Sequence, residues 1–212
     1  MKLSRIFATI LLLGSIAYIV MQQPASQQPA SAPQPSSASP QSSSGHRLAE
    51  NLQHKLDHIQ QNGQLPNPDP APTVMTEEEI NDYIASGHIT LPQGVKKVTL
   101  QGRSGVITAF AKIDFDEIRS GQHSSNPLLS LFSGRHDVRV EANADASDGQ
   151  GHVHVHSVSI DNVDIPRMAL EFFVSKYITP KYPNVGIDSQ FNLRDKVDTA
   201  TVGYHKLTLI QR

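Results

Sequence analysis

The sequence predicts an α+β protein: an antiparallel sheet of hairpins packed on one long apolar helix and a shorter N-terminal helix, behind an N-terminal membrane anchor. Three observations carry this. Apolar and polar residues alternate on both sides of short turns that contain glycine. Ala169, Leu170, Phe173, Val174, Tyr177 and Ile178 recur at helical spacing. A basic start precedes an apolar run and then an uncharged tract.

Lys2 and Arg5 stand before the apolar run Ile6 to Met21. Its 16 residues span about 24 Å as a helix, against roughly 30 Å for a bilayer core. The run ends Tyr18-Ile19-Val20-Met21-Gln22-Gln23, without the small residues that a signal peptidase needs. Residues 1–21 therefore read as an uncleaved anchor in preference to a cleaved signal. Basic residues stay inside, so the rest of the chain is expected to face outward, periplasmic in a diderm bacterium. Secretion to the periplasm after cleavage is the alternative.

Residues 22–45 contain only Gln, Pro, Ser, Ala and Gly. Nothing there offsets chain entropy, so the segment reads as a disordered tether. It also explains a charged fraction of only 18% across the 212 residues. Without residues 1–21, which hold two of the 18 basic residues, 16 basic residues face 20 acidic ones, a net charge of −4. No basic field calls for nucleic acid. The chain has no cysteine, which excludes disulfides, thiolate metal sites and cysteine nucleophiles.

Residues 46–62 read as an amphipathic helix with Leu48, Leu52, Leu56 and Ile59 on one stripe. The stripe is too short for a coiled coil, so the helix is expected to lean on its own domain. A Pro-rich linker over 63–73 follows. The globular domain is placed at 74–212. Thr76-Glu77-Glu78-Glu79 is a capping box, Ile80, Tyr83 and Ile84 form the buried stripe behind it, and Gly87 ends the helix.

Val95–Gln101 and Gly105–Phe115 form the first predicted hairpin. Ile107, Ala109, Ala111, Ile113 and Phe115 share one face. Val106 and Phe110 lie on the other, which suggests cover on both sides. Asp116 to Gly134 interrupts the sheet with the apolar stretch Pro127 to Phe132. Asp137–Ala146 and Gly151–Ile160 form the second hairpin, with Asp145 opposite His152, Asn143 opposite His154 and Glu141 opposite His156. The apolar helix starts at Pro166 and is widened by Phe172. Val197–Val202 and Lys206–Ile210 form the third hairpin.

His152, His154 and His156 share the polar face of one strand, at a spacing that lets two imidazoles reach one metal ion. Glu141 or Asp145 is the expected carboxylate partner, and protonation near pH 6 is expected to strengthen those pairs. A solvent-facing polar stripe is the plainer reading. His54 and His58 sit one helical turn apart, but without the Glu of a metalloprotease motif. No nucleophile elbow, P-loop or dinucleotide fingerprint occurs, no catalytic set emerges, and no cofactor is expected.

The Thr76–Ile84 helix start, the long alternating strands and the Ile165-Pro166 entry to the apolar helix, behind one anchor and a polar linker, resemble small bacterial envelope proteins of the tubular lipid-binding or AsmA-like kind. The resemblance spans Val74 to Arg212. It implies a curved sheet wrapped about a helix, with an apolar groove for an acyl chain. Ile107, Ala109, Phe110, Leu170, Phe173 and Val174 would line that groove, gated by Leu128, Leu131 and Phe132. The small residues Ala109, Ala111, Ala142 and Ala144 leave room over the sheet. Three functions follow as expectations. The first is a membrane-tethered, non-enzymatic module for a lipid or other apolar ligand. The second is a structural partner in an envelope complex, and the third a metal protein using the His strand.

Overall fold

The computed structural model describes residues 40–119, 132–180 and 182–212. The anchor, the tether up to residue 39, and Leu128 and Leu131 lie outside the described residues. Among the described residues no helix is long and apolar enough to cross a membrane.

The elements run α1 (Pro40–Gly63), β1 (Thr73–Thr76), α2 (Glu77–Ala85), β2 (Val95–Arg103), β3 (Val106–Asp114), α3 (Phe115–Arg119), β4 (Arg135–Ser147) and β5 (Gln150–Ile160). They continue with β6 (Val163–Asp164), α4 (Arg167–Phe173), a π-helical turn (Val174–Ile178), β7 (Asp188–Asn192), β8 (Val197–Gly203) and β9 (Lys206–Gln211). All strand pairs are antiparallel. The α+β class and the three predicted hairpins are present.

Strand β4 organises the sheet because it is longer than its neighbour. Its 13 residues outrun the nine of β3, whose pairing stops at Val106 opposite Asn143. Beyond that point β8 takes over the same edge, with Asp145 opposite Thr201 and Ala146 opposite Ala200. Two hairpins thus meet tip to tip along one strand. Gly105 N–H donates to Val202 O at 2.8 Å, and His205 N–H donates to Gly102 O at 3.0 Å. A Cβ on Gly102 would lie 3.1 Å from Gly203 O, so a glycine suits this approach. The other edge of β4 pairs with β5, closed by a tight turn with Asp148 (φ 53°) and Gly149 (φ 74°) in the left-handed region.

Helix α2 carries the expected capping box. Thr76 Oγ1 accepts from Glu79 N–H, and Glu79 Oε2 accepts from Thr76 N–H at 2.8 Å. Tyr83 and Ile84 are buried. Burial pushes the Glu79 carboxyl up, but bonds from Lys55 and Thr76 together outweigh it and hold the group below its ordinary value.

The folded unit begins at α1 and not at Val74. Ala49, Leu52 and Ile59 of α1 belong to the same core as the sheet. The helix starts at Pro40 and so takes in residues that read as tether. Lys55 pairs with Glu79 at 2.7 Å, and Tyr83 OH donates to Gln53 Oε1 at 2.6 Å. At the far end Asn62 and Gln211 are both buried. Asn62 Nδ2 donates to Gln211 Oε1 at 2.8 Å, while Gln211 Nε2 donates to Ile59 O and Asp195 O. The 63–73 segment is strapped to the domain: Asn62 exchanges two bonds with the Asp69 backbone, and Lys196 Nζ donates to Leu65 O and Pro66 O. Its last residue opens β1, which pairs with β9.

Three further expectations are corrected. Phe110 is 38% exposed, so β3 is not covered on both faces there. Phe172 is 47% exposed and does not widen the buried stripe of α4. Glu141 faces Ser157, because a bulge leaves His156 without a partner on β4.

Candidate functional site: an apolar cleft on the sheet

The core-facing side chains of the sheet meet helical cover at two places. At one end α4 and its π-helical turn bury Leu170, Phe173, Val174, Tyr177 and Ile178. Here Phe132 stacks on Phe173 with ring centroids 4.2 Å apart, and Phe115 meets both rings edge-on. At the other end α1 and α2 pack against each other and α2 against β2. Between them the small side chains of Ala144, Ala146 and Ala200 floor a cleft.

The cleft has a volume of about 80 Å³. Leu100, Ile107, Val153 and Val202 supply its walls, from β2, β3, β5 and β8. Ile80, Phe191, Leu193 and Leu207 also line it and are only partly buried, so its mouth is apolar. The Phe191 ring lies across Gly151 on the neighbouring strand: a Cβ at Gly151 would come within 2.4 Å of the ring. Only a glycine lets the ring form this wall without a shift. Glu77 joins α2 to both hairpin tips beside the cleft. Its Oε2 accepts from Gly102 N–H at 2.9 Å and meets His205 Nδ1 at 2.8 Å, and its N–H donates to His205 O. Asp145 and His152 also border the cleft, but strand alternation sends their side chains to the opposite face from Ala146 and Val153.

Of the residues expected to line a groove, Ile107 does line the cleft. Ala109 is fully buried, and Phe110 projects from the opposite face, with the Arg139 guanidinium 6.0 Å from its ring. Phe132 is no gate: it is 2% exposed and part of the aromatic core. Leu170, Phe173 and Val174 surround a void of only about 20 Å³, room for about one water. The groove expected beneath the apolar helix is filled by phenylalanine rings, and the open space lies further along the sheet. The alanine signal pointed there through Ala144. Phe191 and Leu193 went unread because Asp188–Asn192 holds one large apolar residue and no visible alternation.

The histidine strand is arranged differently from the expectation. His154 Nδ1 bonds to Asp188 Oδ1 on β7, and not to an acid of β4. Arg139 and Ser157 take the Glu141 carboxylate. Among the described residues no three His, Cys, Asp or Glu groups converge as a metal cluster. His54 and His58 are exposed on α1.

None of the described groups with a shifted pKa lines the cleft. A hydrogen bond to Asp161 raises the His136 pKa, and the same bond lowers that of Asp161. Arg135 holds Asp114 below the usual carboxylate range. Burial pushes Tyr182 up to about 12.

No family model, curated protein or solved structure matches the chain.

Proposed function

We propose that this chain is a non-enzymatic binding module, held at a membrane by its N-terminal segment and facing outward, that takes the apolar end of a lipid or similar ligand into the cleft. One observation carries the reading: an apolar, open-mouthed cleft of about 80 Å³ in a core whose other end is filled. This is about half of the roughly 150 Å³ that houses benzene in an engineered cavity. It suits a few aliphatic carbons, with the rest of a longer chain emerging past Phe191 and Leu193.

Native mass spectrometry of the purified protein tests this, paired with titration of a fluorescent fatty acid. Co-purifying lipid, or saturable binding lost in Ala144→Leu, supports the module. Bare protein from several preparations, with no saturable binding, overturns it. The small volume favours a second reading, in which the cleft receives an apolar side chain of an envelope partner. A stable complex lost in the same variant, without lipid binding, would select it.

A further inference from the structure

We infer that His154 and His156 form a binding site for a divalent transition metal on the outward face of β5. Their imidazole rings stand 5.2 Å apart, edge to face. The bulge at His156 frees that residue from strand pairing. Its side chain makes no hydrogen bond among the described residues; His156 is exposed and His154 is half-buried.

An ionised carboxylate can only accept, so a neutral His154 facing Asp188 keeps its proton on Nδ1 and presents its lone pair on Nε2. That is how a ligating imidazole is oriented: one nitrogen donates to a carboxylate, and the other faces the metal. Asp188 is in turn held 3.8 Å from the Arg167 guanidinium, which is bonded to Glu171. A chain of charges from α4 thus fixes one ligand, and the second stands beside it. With two nitrogen ligands, water fills the remaining positions. Imidazole pairs suit copper, nickel and zinc, and copper(II) binds tightest in that order.

The test is titration of the full chain with Cu²⁺ alone, read by calorimetry and by paramagnetic broadening of backbone amide signals. The expected result is one tight equivalent per chain, with broadening confined to residues near Asn143, His154–Ser157 and Asp188. His154→Gln or His156→Gln should each weaken binding at least tenfold, and Asp188→Asn about tenfold through loss of orientation. Unchanged affinity in both histidine variants overturns the site. So does broadening centred on His54 and His58, with loss of binding in His54→Gln/His58→Gln instead.

Discussion

The side-chain amide of Asn81 forms a closed pair of hydrogen bonds with the backbone of Leu100. Its Nδ2 donates to Leu100 O at 2.9 Å, and its Oδ1 accepts from Leu100 N–H at 2.8 Å. Among the described residues β2 pairs with β3 alone, so this amide stands where a neighbouring strand would. It satisfies an edge position and blocks it against a foreign strand. Asn81→Ala removes both bonds. We expect a loss of about 1–3 kcal/mol in urea unfolding, and faster self-association of the variant in light scattering. Wild-type behaviour on both measures would show the pair to be incidental.

Gly151 and Phe191 are coupled by space. Gly151→Ala places a methyl group against the ring, and overpacking of this kind costs about 1–3 kcal/mol. In a Phe191→Ala background the obstacle is gone, so the same substitution should cost far less. A double-mutant cycle read by chemical denaturation measures the coupling. Additive effects would mean that the ring moves aside freely.

The Asn62–Gln211 network fastens α1. Gln211→Leu leaves Ile59 O, Asp195 O and Asn62 Nδ2 short of a partner inside the fold. The expected cost is about 2 kcal/mol or more. Hydrogen exchange should speed up first in α1, with the β3–β4–β5 amides still protected. Uniform loss of protection would instead make α1 part of one global unit.

The His136–Asp161 pair gives a defined pH response. The two groups bond at 2.5 Å, and the His136 pKa is raised above its ordinary 6.5. A raised histidine contributes stability that is full below 6.5 and disappears as pH climbs through the raised value. The Asp161 pKa is depressed below 3.8. Its contribution is full above 3.8 and disappears as pH falls through the lowered value. The pair therefore supports the fold most between about pH 4 and 6.5. Asp161→Asn, which keeps the acceptor for Asp137 N–H, should bring the His136 pKa in an NMR titration back toward 6.5 and flatten stability on the alkaline side. A midpoint unmoved by that change would refute the assignment.

The hairpins were legible because alternation is a direct image of a sheet with one buried face. Thr76 and Glu79 announced α2 because a capping box is local chemistry. What escaped depends on volumes and on distant partners. Nothing in the pattern Leu170, Phe173, Val174 tells that Phe115 and Phe132 arrive to fill the space beside them. The bulge at His156 is one extra residue in an otherwise regular run, so it shifted the expected partner of Glu141 by one position. The short strand β1 was hidden behind prolines because only its pairing with β9 makes it a strand. The short apolar stripe of α1 shows only part of its attachment, because Asn62 and Lys55, which fasten it, are polar.

Ile59 and Asn62 meet Gln211 across 152 and 149 positions of sequence. Every ring closed over such a separation delays folding. Helix α1 has no finished berth until β9 has left the ribosome, so most of the chain must be made before α1 can settle. A chain handed across a membrane N-terminus first would arrive in that open condition. The domain would then assemble only after crossing, with α1 among the last elements to lock.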